Sequence, residues 1–440
     1  MSLKKFALNL FLIFLAYLIY NIIDLMEIFK KVEFKNEKNC KIIRGAIGFE
    51  DFQLFENQYL IGGSNDNLKM NEMDYDTIAE VDKGNIAVFD TITESFNFYK
   101  IENFPENITF HPHGVYLYKN EKNENYLYVI NHAFSLGGER IEVIKVEKKE
   151  SNTITNPPIL ISYLFPLIYY PIKITDLFSL DLKFTYIKSL ILPEYLNGIT
   201  NDLIVTNAKD KNIGDNIFIT TYIPFPDEKT GRKHDLITTL KNSIGLLRIK
   251  LTYIYHCFSI KKYTNEIFIC KQVENLKAAS LLNNGIAYDE KNKIIYLSNL
   301  IKREIKIFKF LENENEIIYL NKIFTNFAAD NLHVKNDSLG NTILTGGVIG
   351  RVKDHLMLVE KSKNSGKITQ EKDLMFGAIK MKIPKNFNFS DAEEIKKLEN
   401  KVEILVMQDK FKGVSSGFEH GQKTYVSSWG DDGMLVCKTG

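Results

Sequence analysis

Apolar positions along this chain come in short bursts separated by polar turns. Asn85-Ile-Ala-Val-Phe-Asp90, Tyr126-Leu-Tyr-Val-Ile130, Ile141-Glu-Val-Ile-Lys-Val146, Ile294-Ile-Tyr-Leu-Ser298 and Ile305-Lys-Ile-Phe308 are rich in β-branched and aromatic residues and partly alternate. Those are the marks of strands. The segment Asn284–Asn299 followed by Ile305–Phe308 reads as three consecutive antiparallel strands. The strand pattern continues from residue 45 onward without a change of composition, so residues 36–440 read as one large β domain.

Four regions depart from that pattern. Residues 1–35 carry Lys4 and Lys5 and then an apolar run from Phe6 to Ile23, broken by Asn9 and Asn21. At about 1.5 Å per residue the run reaches about 27 Å as a helix, enough for a thin bilayer. No small-x-small cleavage site follows it, so an uncleaved signal-anchor is expected, with the basic end cytosolic and the rest lumenal or extracellular. Residues 151–190 hold a very apolar stretch, 159–171, whose Pro166 and Pro171 argue against a second span. An amphipathic or lid element at a channel mouth, or a blade edge, is expected there. Residues 226–246 read as a polar then helical cover, and residues 386–401 as a Ser- or Asp-capped surface helix.

Composition excludes more than it identifies. The 56 basic and 55 acidic residues balance, and without a basic stripe nucleic acid is an unlikely partner on physical grounds. No Gly-x-Ser-x-Gly, Walker or zinc-binding motif is present. Three sequons, at Asn107, Asn336 and Asn388, lie beyond the apolar segment, where glycosylation is open to them. None of the four cysteines forms a Cys-x-x-Cys pair. The spacing of Cys257 and Cys270 decides nothing, and buried thiols are the expectation.

The polar residues that interrupt the strands carry the chemistry. Glu50 and Asp51, His113, Asn201 and Asp202, Asn284, and Asp330 and Asn331 occupy five separated Gly- or Asn-rich turns. Carboxylate and amide oxygens suit a hard divalent cation such as calcium rather than zinc. Such a scattered set meets only if the chain keeps returning to one point, as a radial β-fold with a central channel does. The adjacent pairs fit this, because successive side chains of an extended segment point opposite ways.

These segments, Gly48-Phe-Glu-Asp51, His111-Pro-His-Gly-Val115, Val129-Ile-Asn-His132, Thr200-Asn-Asp-Leu-Ile-Val205, Asn284-Gly-Ile-Ala287 and Asp330-Asn-Leu-His-Val334, resemble in content and order those of the paraoxonase family of calcium-dependent lactonases and arylesterases. The resemblance implies an all-β six-bladed β-propeller with a central calcium channel, about 67 residues per blade, preceded by a hydrophobic anchor helix. It also implies a disulfide between Cys40 and Cys437 that ties the first strand to the last, and with it an oxidising compartment. Glu50, Asn201, Asn284, Asp330 and Asn331 would hold a catalytic calcium. Asp51, Asp202 and the backbone carbonyl of Val115 would hold a structural one. His113 would be the general base and His132 its relay, acting on a small lactone or aryl ester. His111 and His333 are read as structural.

The chain departs from the family's pattern at Thr220-Thr-Tyr222, near Gly346-Gly347-Val348, where a pocket histidine is missing, and in the long acidic loop Asn65–Asp82. Some paraoxonase-like membrane proteins are chaperones that assist assembly of ion channels. That makes ion-channel subunits the partners under a second, non-enzymatic reading. The gluconolactonase-like and strictosidine-synthase-like propellers fit less well, given the terminal cysteines and the His-Pro-His-Gly segment.

Overall fold

The computed structural model describes residues 3–25, 39–70, 75–81, 83–149, 182–193, 196, 198–208, 214–223, 251–262, 265–280, 282–336, 338, 340–365 and 374–438. Six antiparallel sheets follow one another around an axis. The first blade is Phe52–Phe55, Tyr59–Ser64, Asn85–Asp90 and Ser95–Tyr99. The second is Pro112–Lys119, Asn125–His132, Glu139–Lys148 and Leu182–Ile191, with Ile101–Glu102 added in parallel on its outer edge. The third is Ile199–Thr206, Asn216–Ile223, Ile254–Lys262 and Asn265–Gln272; the fourth is Asn283–Asp289, Ile294–Asn299, Glu304–Leu311 and Glu316–Phe324. The fifth is Ala328–Asn336, Gly340–Ile349, Met375–Pro384 and Glu403–Gln408. The sixth joins Val414–His420, Lys423–Ser428 and Asp432–Lys438 to the first strand of the chain, Cys40–Ile47.

Burial explains the apolar pattern. A middle strand such as Ile294–Asn299 is sandwiched between neighbouring blades and buried throughout, so it reads as a continuous apolar run. An outermost strand such as Ser95–Tyr99 has no neighbour on one side and stays largely exposed. The core therefore lies between blades. Phe49, Phe52, Phe89 and Tyr425 bind the first blade to the sixth where the circle closes. The surface helix expected in 386–401 is Ala392–Glu399, capped by the Asp391 carboxylate, which accepts from Glu393 N–H and Glu394 N–H.

Closure is covalent as well. Cys40 and Cys437 stand opposite each other in the pairing of the first and last strands and form a disulfide. The buried-thiol expectation for Cys257 and Cys270 is corrected. The two residues are direct cross-strand partners in the hairpin of the third blade, with Cα atoms 3.9 Å apart, and they are disulfide-bonded. A spacing of 13 residues is what a hairpin centred between them requires. Two disulfides place the folded chain in an oxidising, extracellular or lumenal setting.

Further expectations concern the inserted segments and the N-terminus. Residues 151–181 and 226–246 lie outside the described residues, but Lys148 and Leu182, which flank the first segment, pair with each other at the end of their blade away from His132 and Glu139. Leu182–Ile191, the described end of the 151–190 element, is a strand of the second blade. At the N-terminus, Leu3–Leu25 forms a 23-residue helix with Phe6, Phe11, Ile13 and Phe14 exposed. Among the described residues no helix is long and apolar enough to cross a membrane.

The two disulfides close loops of very different length, 397 and 13 residues. Chain entropy assigns roughly 6 kcal/mol to the long loop and roughly 3 kcal/mol to the short one. Replacing Cys40 and Cys437 by serine is expected to lower the denaturation midpoint more than replacing Cys257 and Cys270. Urea unfolding of the two double variants measures the order.

Candidate functional site

The polar doublets do not lie in turns. All but one sit inside the innermost strand of a blade, at a β-bulge. In the second blade Pro112 pairs with Asn131 and Val115 with Val129, so the inner strand carries one residue more than its partner. The same three-against-two step occurs between Thr200 and Leu203, Asn283 and Ile286, Ala329 and Leu332, and Val414 and Gly417. The extra residue breaks the ladder at one height in five blades and turns the doublets His113-Gly114, Asn201-Asp202, Asn284-Gly285, Asp330-Asn331 and Ser415-Ser416 towards the axis. Glu50-Asp51 sits at the equivalent point of the first blade, just before Phe52 pairs with Gly62. The glycines serve close approach: a Cβ on Gly114 would lie 2.4 Å from Asn201 O, and one on Gly285 would lie 2.4 Å from Asp330 O.

All the candidate side chains are gathered around this axis, in two groups. In the first, His113 Nδ1 is 3.1 Å from Glu50 Oε2, and His113 Nε2 is 3.0 Å from Asn201 Nδ2. A carboxylate only accepts, so Nδ1 carries the proton, Nε2 accepts from the Asn201 amide, and Asn201 Oδ1 is turned away. The His132 ring stands 5.1 Å from His113, centroid to centroid, and its Nδ1 is 2.6 Å from Glu139 Oε1. The Asn284 side chain donates to Asp330. The oxygens Asn201 Oδ1, Asn284 Oδ1 and Asp330 Oδ1 are buried and receive no hydrogen bond from the protein.

The second group is a set of ties between blades. Asp51 accepts from its neighbour Phe52 N–H at 2.8 Å and from Val115 N–H of the next blade at 2.9 Å. Asp202 repeats the arrangement, with Leu203 N–H at 2.7 Å and Ile286 N–H of the next blade at 2.8 Å. Hydroxyls on second strands work alongside. Thr220, Ser298 and Ser427 donate to the carbonyls of Asn284, Asp330 and Glu50, each the first doublet residue of the following blade. Thr220, one of the departures from the family pattern, is thus a structural tie.

Electrostatically the channel is under strain from its own acids. Glu50, Asp51, Asp202 and Asp330 are all more than nine-tenths buried. Burial pushes the Asp51 carboxyl up to about 7. Asp202 is raised well above the ordinary carboxylate range by burial and then by the Asp51 charge; Asp330 is raised by burial, then by Glu50 and Asp51. His333, stacked on Phe52 and 4.0 Å from Asp51 Oδ1, is pushed down to about 4 by burial and stays neutral. Among the described residues no Lys or Arg pairs with Asp51, Asp202 or Asp330. Nor do three His, Cys, Asp or Glu side chains converge to hold a metal among them. The oxygen set here is completed by amides.

The sequence reading missed Ser415 and Ser416, whose hydroxyls reach Glu50 O at 2.7 Å and Asp51 Oδ1 at 3.4 Å. A sixth doublet was implied by counting blades, but serine gives no distinctive signal. Also missed were Glu139, Thr200 and Asn67, which donates to Glu50 Oε2 at 3.2 Å. Asn67 belongs to the acidic loop. That loop folds as the helices Asn67–Met70 and Tyr75–Val81, packing Met70 and Ile78 on Phe134 beside the histidines.

No protein-family model matches the chain, and no curated protein matches its sequence. Among solved structures it is similar to a luciferin-regenerating enzyme at 10% identity, with a TM-score of 0.41, over 92% of this chain and 95% of that one. It is also similar to a gluconolactonase from Xanthomonas campestris at 9% identity, with a TM-score of 0.38, over 93% and 98%. Likenesses this distant carry no argument about activity; the six-bladed fold stands on the strand order above.

The raised carboxyls fix the sign of a pH effect. A folded-state pKa above the unfolded value contributes stability that is present below the unfolded value and lost as pH rises through the folded one. With divalent cations chelated, the melting temperature is expected to fall between pH 4 and about 7, the window set by Asp51. Scanning calorimetry across that range measures it, and a flat or rising profile would contradict this account of the channel.

Proposed function

We propose that this propeller is a calcium-dependent hydrolase of lactones or aryl esters. The observation that carries the reading is the trio of buried, donor-free oxygens, Asn201 Oδ1, Asn284 Oδ1 and Asp330 Oδ1, beside an imidazole–carboxylate pair. Leaving buried acceptors unsatisfied costs about 1–3 kcal/mol each, and an oxygen-seeking cation removes that cost. Glu50, Asn201, Asn284, Asp330 and Asn331 would hold calcium with a ligand charge of about −2. When bound, calcium supplies polarisation of a carbonyl and charge balance for the oxyanion. Asp51, Asp202 and the Val115 carbonyl would hold a second, structural calcium. Their oxygens already accept hydrogen bonds and lack the unfilled acceptors of the first set.

The protein's own residues do the proton work. His113 takes the proton of the attacking water at Nε2, after the water displaces the Asn201 amide from that nitrogen. Glu50 and His113 then share the charge across Nδ1–H. The proton passes to the leaving alkoxide or phenolate as the C–O bond breaks, so the catalyst ends as it began. His132 stands behind His113 as the relay.

Localisation follows the same proposal. The exposed apolar side chains of Leu3–Leu25 favour seating at a membrane, with the propeller lumenal or extracellular. Asn107, Asn336 and Asn388 are exposed and open to glycosylation.

The test is hydrolysis of a lactone and aryl-ester panel by the purified protein, with calcium and with chelator. Turnover is expected only with calcium. His113→Gln is expected to lower kcat about 100-fold or more, and Glu50→Gln to weaken calcium binding. Calcium that raises the melting temperature without turnover on any substrate would overturn the hydrolase reading and favour an assembly partner of membrane proteins such as ion-channel subunits.

A further inference from the structure

We propose that Glu139 is the positioning residue of the histidine pair, fixing the tautomer of His132 and stabilising its imidazolium. Both of its carboxylate oxygens are committed. Oε1 lies 2.6 Å from His132 Nδ1, and Oε2 accepts from Thr200 Oγ1 at 2.6 Å. His132 and Glu139 are cross-strand partners in the second blade, while Thr200 belongs to the innermost strand of the third. One carboxylate therefore bridges two blades. Thr200 immediately precedes Asn201, whose amide reaches His113 Nε2. Glu139 thus ties His132 to the strand that carries Asn201, while the His113 and His132 rings stand 5.1 Å apart. His132 is held from behind as well. Its N–H donates to His111 O at 3.1 Å, and His111 N–H donates to Asn131 Oδ1 at 2.7 Å.

The chemistry follows from the donor inventory. An ionised carboxylate only accepts, so His132 Nδ1 carries hydrogen and Nε2 is the nitrogen that exchanges protons. A proton that His113 takes from water can pass to His132 Nε2, where Glu139 offsets the charge without being protonated. It returns by the same route to the leaving oxygen. The orienting carboxylate of a catalytic triad acts on its histidine in the same way. The chemical role rests on the hydrolase reading; the geometry does not.

The experiment uses full-length protein carrying Glu139→Gln or Glu139→Asp. NMR reads the titration of the His132 ring, and steady-state kinetics read kcat and KM against pH. The titratable groups facing His132 are Glu139 and His113, with Glu50 beyond His113. Removing the Glu139 charge is expected to lower the His132 midpoint by about 1 unit or more. The same variant is expected to lower kcat at least about tenfold with KM nearly unchanged. Glu139→Asp is expected to recover most of both effects, and the melting temperature is expected to hold. An unchanged His132 midpoint in Glu139→Gln overturns the proposal, as does a loss of kcat that merely follows a lowered melting temperature. The NMR measurement needs no substrate. If the parent protein hydrolyses nothing, the hydrolase reading fails while the titration still decides the role of Glu139.

Discussion

Everything in this molecule depends on six strands meeting at one axis, five of them with a bulge at the same height. A regular ladder would bury its polar groups in pairs and leave the axis to apolar side chains. One extra residue per inner strand frees main-chain carbonyls and directs doublets of side chains inward. Those groups must then be satisfied between blades, not within them. Asp51 and Asp202 meet this demand by gripping the next blade's N–H, and Thr220, Ser298 and Ser427 by reaching the next blade's carbonyl. The site and the glue of the fold are built from the same doublets.

The first residue of each doublet does different work from the second. Glu50 and Asn201 contact His113, and Asn201, Asn284 and Asp330 leave oxygens unfilled. Asp51 and Asp202, one residue on, each accept two main-chain N–H bonds. Alternation along an extended chain thus converts a neighbouring pair into one functional and one architectural group. The Cys40–Cys437 disulfide secures the ring through which these contacts pass, because the first and sixth blades meet at the Glu50 carbonyl, which accepts from Ser415 and Ser427.

The strands and the radial plan were legible because middle strands buried on both faces write continuous apolar runs, and because acidic and amide residues in otherwise apolar strands have few other uses. The doublets were legible as chemistry but not as conformation. Asn-Gly and His-Gly look like turns, whereas Gly285 and Gly114 are there because the next blade's backbone leaves no room for a Cβ. Glu139 was invisible because its meaning lies in a cross-strand pairing and a neighbouring blade, neither of which sequence spacing encodes. Cys257 and Cys270 were undecided for the same reason: only hairpin register makes them partners. Ser415 and Ser416 were hidden by the ordinariness of serine.

The most direct test of the central claim is a crystal structure determined with calcium present. The account predicts an ion among Asn201 Oδ1, Asn284 Oδ1 and Asp330 Oδ1, at oxygen distances of about 2.3–2.6 Å. Water hydrogen-bonded to the three oxygens, with no ion at millimolar calcium, would contradict it.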